Sequence, residues 1–90
     1  MNEKYSWDPE KRDQNIKERG LDMVRLADDI FNDPNVVIEQ DVRGYGEERY
    51  LAYGLVGEKR LCLCFTPRNG KMHLITVYKI HERIWRKHYG

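Results

Sequence analysis

The chain has 90 residues, 40% of them hydrophobic and 34% charged, with 16 Lys and Arg against 15 Asp and Glu. That is enough apolar material for one core, so a single domain over residues 1–90 is expected, and nothing suggests a second. No apolar run approaches the ~18 residues of a membrane span and the charged first dozen residues do not make a signal peptide, which points to a cytoplasmic protein with no membrane attachment.

A short strand is expected from about Lys4 to Trp7, followed by a helix. Asp8 before Pro9 is a helix start, because the carboxylate accepts from first-turn amides and proline needs no donor at the first helical position. Gly20 is the matching left-handed stop. Inside this helix only Ile16 is strongly apolar. It is therefore expected to rest narrowly on the sheet through Trp7 and Ile16. Its polar flank, Lys11, Arg12, Lys17 and Arg19 among Glu10, Asp13 and Glu18, either faces a partner or is a solvated face with pairs such as Asp13–Lys17.

The second helix is built for burial. Met23, Leu26, Ala27, Ile30 and Phe31 recur at core-facing spacing, Asp22 is the cap and "NDPN" the terminator. From Asn35 the period falls to two. "NVVIEQ" is a strand; "ERYLAYGLV" alternates Arg49, Leu51, Tyr53 and Leu55 against Tyr50, Ala52, Gly54 and Val56; "RLCLCFT" puts Leu61, Leu63 and Phe65 on one face; "KMHLITVYK" closes the set. The turns "VGEK" and "PRNG" join the last three as an antiparallel meander, since loops so short leave no room for a parallel crossover. "RGYGEE" reads as a longer connection before it. Cys62 and Cys64 share one side of their strand, where a mutual disulfide is unfavourable, and reduced thiols acting as small hydrophobes are expected. Structural zinc sites typically separate their ligands by about two to four residues rather than one, so no metal and no cofactor is expected even with His73 on the neighbouring strand.

The chain ends in "HERIWRKHY", where Ile80, Ile84 and Trp85 would dock a helix and Arg83, Arg86 and Lys87 would point outward. Residues 1–67 carry 10 basic and 14 acidic side chains, a balance of −4, whereas residues 68–90 carry 6 basic and one acidic, a balance of +5. A phosphate-bearing partner would select such a basic pole, although compensation of the helix dipole accounts for part of it. His81 and His88, seven apart, would share a solvated helix edge. The layout is α+β: a short N-terminal strand, two helices, a three- to four-stranded antiparallel sheet and a C-terminal helix.

"WDPEK", Asn15, Gly20-Leu21, "FNDP", "GEERYLAYG", "CFTPRNGKMHLIT" and a basic terminal helix ending in Tyr89, in that order, resemble the BrnT toxins of bacterial type II toxin–antitoxin systems over Tyr5 to Tyr89. The resemblance implies a RelE-like fold, a metal-independent endoribonuclease that stops translation, and a BrnA-like ribbon-helix-helix antitoxin. That antitoxin neutralises the toxin and alone carries it to operator DNA.

Such cleavage needs a deprotonated ribose 2′-hydroxyl, a protonated leaving 5′-oxygen and compensation of phosphorane charge. The catalytic candidates are Arg49, His73, Tyr78, Lys79 and Arg83, with Arg86, Lys87 and Lys11 as RNA contacts. They are expected to gather into one cationic cleft formed by the last two strands and the closing helix. Arg49 either contacts phosphate or pairs with Glu47 or Glu48; His73, opposite Met72 and Leu74, either transfers a proton or is a packed polar residue; Tyr78 either donates a proton or stacks on a base. Arg83, Arg86 and Lys87 meet RNA or antitoxin, or only offset the dipole. The family commonly has Lys-His-Gly where this chain has Glu18-Arg19-Gly20, Arg at His73 and at Tyr78, and Glu at Ile84. Those departures motivate a second reading, a catalytically weakened binding module that acts as antitoxin partner and co-repressor. A stand-alone nucleic-acid-binding domain is a third.

Overall fold

The computed structural model describes residues 4–44 and 46–89; Tyr45, within the connection "RGYGEE", lies outside them. The chain runs β1 (Tyr5–Trp7), α1 (Pro9–Arg19), α2 (Met23–Phe31), β2 (Val37–Asp41), β3 (Arg49–Val56), β4 (Lys59–Arg68), β5 (Lys71–Lys79) and α3 (Glu82–His88). The sheet has five strands in the order β1-β5-β4-β3-β2. Its antiparallel part, β2 to β5, is the expected one, and β1 adds a fifth strand parallel to β5. The β4–β5 hairpin turns on Asn69 and Gly70, both at positive φ (54° and 75°), which matches the right-handed twist of the strands it joins.

One face of the sheet is covered by α2, with Tyr5, Leu21, Met23, Ala27, Ile30, Ala52, Leu61, Leu63, Phe65, Leu74 and Val77 as its buried cluster. The helix rides directly on β3. A Cβ at Gly54 would stand 2.8 Å from Ile30 Cγ2 and 2.9 Å from the Ile30 carbonyl oxygen, so only glycine admits this approach. Asp22 caps α2 by accepting from the Val24 amide and binds Arg12 through both carboxylate oxygens at 3.0 and 2.9 Å, tying α1 to α2.

The anchorage of α1 differs from the expectation. Asp8 and Gly20 (φ 67°) bound it as expected and Trp7 packs against the core, but Ile16 is 40% exposed and Asn15 is the buried residue. The reason is the brevity of β1. Its pairing with β5 stops at Leu74, which leaves the outer edge of β5 without a strand partner at Val77. Asn15 Oδ1 accepts from the Val77 amide (3.3 Å) and from Thr76 Oγ1 (3.0 Å), while Arg19 donates to the Val77 carbonyl (3.2 Å) and to Thr76 Oγ1 (2.8 Å). A buried peptide edge requires polar partners, which isoleucine does not have.

On the opposite face α3 covers only part of the sheet, through a second cluster of Tyr53, Cys62, Ile80 and Trp85 edged by Val37, Leu51, Tyr78 and Tyr89. Ile84 is exposed, contrary to expectation. Ile80 precedes the helix, so the inward stripe starts at Trp85 and continues one turn later at His88 and Tyr89. The Trp85 and Tyr89 rings stack at 4.1 Å and the Tyr89 hydroxyl donates to Asp33 (2.7 Å). His88 stacks on Tyr53 at 4.7 Å and meets Glu39 at 2.8 Å. His81 instead caps the start of α3 and is exposed, so the two histidines form no common edge. Cys62 and Cys64 are buried and unbridged, and burial pushes the Cys62 thiol up to about 11.

Candidate functional site

A β-bulge decides which side chains meet on the α3 face. Cys64 pairs with Thr76 and Phe65 with Leu74, so Ile75 is an extra residue in β5. Strict alternation from Tyr78 would turn His73 toward α2. The inserted residue reverses the parity: Leu74 enters the α2 cluster and His73 joins Tyr78 on the other side.

The ladder then aligns a polar row across all five strands. Asp41 pairs with Arg49, Thr66 with His73, and Ser6 with His73; with Tyr50 opposite Phe65, the next step along places Arg49 beside Thr66. Past this row the hairpin pairs Arg68 with Lys71 on the same face. Trp85 and Tyr89 of α3 pack over the Tyr53 and Cys62 end of the face rather than over this one.

Hydrogen bonds order the row. Ser6 Oγ lies 2.9 Å from His73 Nδ1. Thr66 Oγ1 donates to the Glu48 carbonyl, which pins the start of β3. Glu47 spans two guanidinium groups, with Oε2 at 3.2 Å from Arg49 Nε and Oε1 at 3.0 Å from Arg68 Nη2, and these bonds hold its carboxyl below the usual carboxylate range, Arg68 contributing most. Buried Asp41 is gripped by Arg43 at 2.8 and 2.6 Å. Burial lowers the pKa of His73 below the ordinary imidazole value, and the charge of Arg68 lowers it further against the weaker opposing pull of Glu47 and Asp8. Both effects favour the neutral imidazole, the form that can accept a proton.

The expected residues are only partly assembled here. Arg49, His73 and Tyr78 share this face. The Tyr78 phenol is hydrogen-bonded with Cys62, and burial raises its pKa, so it gives up a proton poorly at neutral pH; the Arg19 guanidinium lies 5.9 Å over its ring. Lys79 pairs with Leu61, a residue of the α2 cluster, and so belongs to the opposite face. Arg83 and Arg86 line a shallow depression on the outside of α3 with His81 and Glu82, and Arg86 is bound to Glu82 at 2.8 Å. Lys87 is exposed on α3 and Lys11 on α1. The single cleft expected from the last two strands and the closing helix is thus not formed. The bulge at Ile75 separates Lys79 from His73, which strict alternation would have left on one face, and α3 turns its cations outward because its inward stripe is aromatic. The cations beside His73 are instead Arg49, Arg68 and Lys71, with Arg43 at the Asp41 end and Arg19 at Tyr78. Glu47 was anticipated only as an alternative partner of Arg49, a pairing that the structure shows; Ser6, Arg68 and Lys71 were not anticipated, although an Asn-Gly two-residue turn dictates the pairs Arg68–Lys71 and Thr66–His73 and was the signal available for the last two.

Among the described residues no group of three or more His, Cys, Asp and Glu is placed to hold a metal ion, and no helix is long and apolar enough to cross a membrane.

An α+β fold in which α3 covers only part of one sheet face, with a histidine beside several guanidinium groups on the rest, has the chemistry of a small polyanion-handling protein. The chain belongs to the BrnT family: the family model described as a ribonuclease toxin, BrnT, of type II toxin–antitoxin systems matches residues 7–83. It is accordingly a ribonuclease toxin with an RNA substrate and an antitoxin partner. Comparison with curated proteins returns no match.

Proposed function

We propose that this toxin cleaves RNA internally and without a metal ion, by attack of a ribose 2′-hydroxyl on the adjacent phosphate, and that the cleavage arrests translation in the cytoplasm. The observation that carries this reading is the polar row itself, in which the Ser6-bonded His73 lies within electrostatic reach of Arg68 and Glu47 on the part of the face that α3 does not cover. His73 takes the 2′-hydroxyl proton, the 2′-oxygen bonds to phosphorus, and the P–O5′ bond breaks as the 5′-oxygen is protonated. Arg49, Arg68 and Lys71 hold the phosphate and offset the charge that grows on it. Lys79, Arg83, Arg86, Lys87 and Lys11, being spread over other surfaces, serve at most to track the RNA backbone or to meet the antitoxin. That antitoxin is a BrnA-like ribbon-helix-helix protein, and operator DNA is reached only through it.

The test is incubation of purified toxin with an RNA oligonucleotide in EDTA, followed by analysis of the product ends. A 2′,3′-cyclic phosphate and a 5′-hydroxyl are expected. His73→Gln should slow cleavage about 10²- to 10⁴-fold, the usual contribution of a positioned general base. An intact variant that cleaves at the wild-type rate removes His73 from the reaction. Wild-type protein that neither cleaves RNA nor arrests growth, yet co-purifies with its antitoxin, would establish the co-repressor reading instead.

A further inference from the structure

We propose that Glu47 is a built-in occupant of the toxin's phosphate site, and that an RNA phosphodiester binds by displacing it from Arg49 and Arg68. This rests on the reading of the polar row beyond α3 as the RNA-binding surface. Each oxygen of the Glu47 carboxylate meets one guanidinium, Oε2 toward Arg49 and Oε1 toward Arg68. A phosphodiester presents the same pattern, two anionic oxygens sharing one charge, and guanidinium groups accept carboxylate and phosphate interchangeably in this geometry. The location agrees. The two arginines flank the Thr66–His73 pair, Arg49 across from Thr66 and Arg68 two residues beyond it, so an anion held between them lies beside the imidazole.

Glu47 is also placed to leave. It precedes β3, has no ladder partner, and is exposed, while Gly44 and Gly46 in the same connection both hold positive φ (79° and 76°). Glu48, by contrast, is fixed through its carbonyl to Thr66. A swing confined to Glu47 and the residues before it thus leaves Arg49 in register. Because the carboxylate is tethered to the chain, it competes with any incoming phosphate at a constant effective concentration. The toxin would therefore bind RNA less tightly than its cations permit, and a substrate must engage further cations, such as Lys71, to win.

The experiment is fluorescence anisotropy with a 2′-O-methyl oligoribonucleotide, which lacks the attacking hydroxyl and survives the measurement. Removing the charge of one partly exposed ion-paired carboxylate is expected to raise affinity on the order of 1.5- to fivefold in Glu47→Gln and in Glu47→Ala. Arg68→Ala should weaken binding and reduce the salt slope by about 0.7, the single-strand value for one phosphate contact. Adding Glu47→Gln to Arg68→Ala should recover less than Glu47→Gln gains alone. Thermal melts confirm that each variant is folded. Unchanged or weaker binding by both folded Glu47 variants, with Arg68→Ala still impaired, would mean that Glu47 organises the arginines or is indifferent, and would overturn the proposal while leaving the RNA face intact. No effect from either Arg49→Ala or Arg68→Ala would overturn the RNA face itself, and this proposal with it.

Discussion

Replacing Asn15 by leucine tests the claim that α1 is held by polar edge-capping rather than by apolar contact. Asn15 is 3% exposed, and its Oδ1 accepts from the Val77 amide, from Thr76 Oγ1 and from Arg19 Nη1 at 3.3, 3.0 and 2.8 Å. Leucine has similar volume and no acceptor. Arg19 is exposed and the Thr76 hydroxyl is only partly buried, so water can serve both; the Val77 amide is buried and cannot be rescued. One buried donor left without a partner costs about 1–3 kcal/mol, and the loss of the remaining bonds about 1 kcal/mol more. The sum, roughly 2–4 kcal/mol, is a large share of the roughly 5–15 kcal/mol available to a small domain. At about 4–8 °C per kcal/mol for a chain of this size, the melting temperature should fall by about 8–32 °C. Asn15→Asp, which keeps an acceptor, should lose much less. The assays are urea and thermal denaturation together with hydrogen exchange at the Val77 amide, whose protection should drop more than that of Leu63. A leucine variant within about 0.5 kcal/mol of wild type, the usual range of inconsequential surface changes, with Val77 still protected would refute the edge-capping account.

Three further outcomes are expected. Gly54→Ala brings a methyl group to 2.8 Å from Ile30 Cγ2 and 2.9 Å from its carbonyl oxygen, and should destabilise the fold by about 1–3 kcal/mol in urea titrations while moving the backbone of α2. Asp33 accepts from the Leu55 and Asn35 amides and from Tyr89, and these bonds hold its pKa below the unfolded value; the stability it contributes is complete above the unfolded carboxylate pKa and disappears as pH falls through the lower folded one, so Asp33→Asn should flatten that acid limb of the stability profile. The lowered pKa of His73 means that cleavage should rise with pH through an apparent value under that of a free imidazole and level off by neutrality, and a limb lying above it would exclude His73 as the base.

Much of the architecture was legible because it depends on local chemistry. Asp8-Pro9 and Gly20 bound α1, Asp22 caps α2, and Met23, Ala27 and Ile30 form its buried stripe. The alternation of Leu61, Leu63 and Phe65 with the two cysteines fixes which side of β4 meets α2. The errors have a common origin in position along the third dimension. Ile16 was given the role of Asn15 because an unpaired strand edge cannot be seen without knowing where β1 stops. Ile84 was counted with Ile80 as though both were helical. Lys79 was grouped with His73 because both belong to β5 at an even spacing, although the bulge at Ile75 sets them on opposite faces.

For the candidate site the division is sharper. Composition and order of motifs already determined an α+β toxin fold and the presence of Arg49 and His73 on its strands, since periodicity and turn chemistry act between near neighbours in the chain. Which side chains meet was decided by tertiary structure alone. One residue inserted in β5 turns His73 to the α3 side of the sheet, a parallel pairing over 67 residues of sequence brings Ser6 to it, and a glutamate 21 residues before Arg68 closes the bridge to Arg49. A contact between distant residues is set by strand register, and register is a property of the whole sheet rather than of any segment within it.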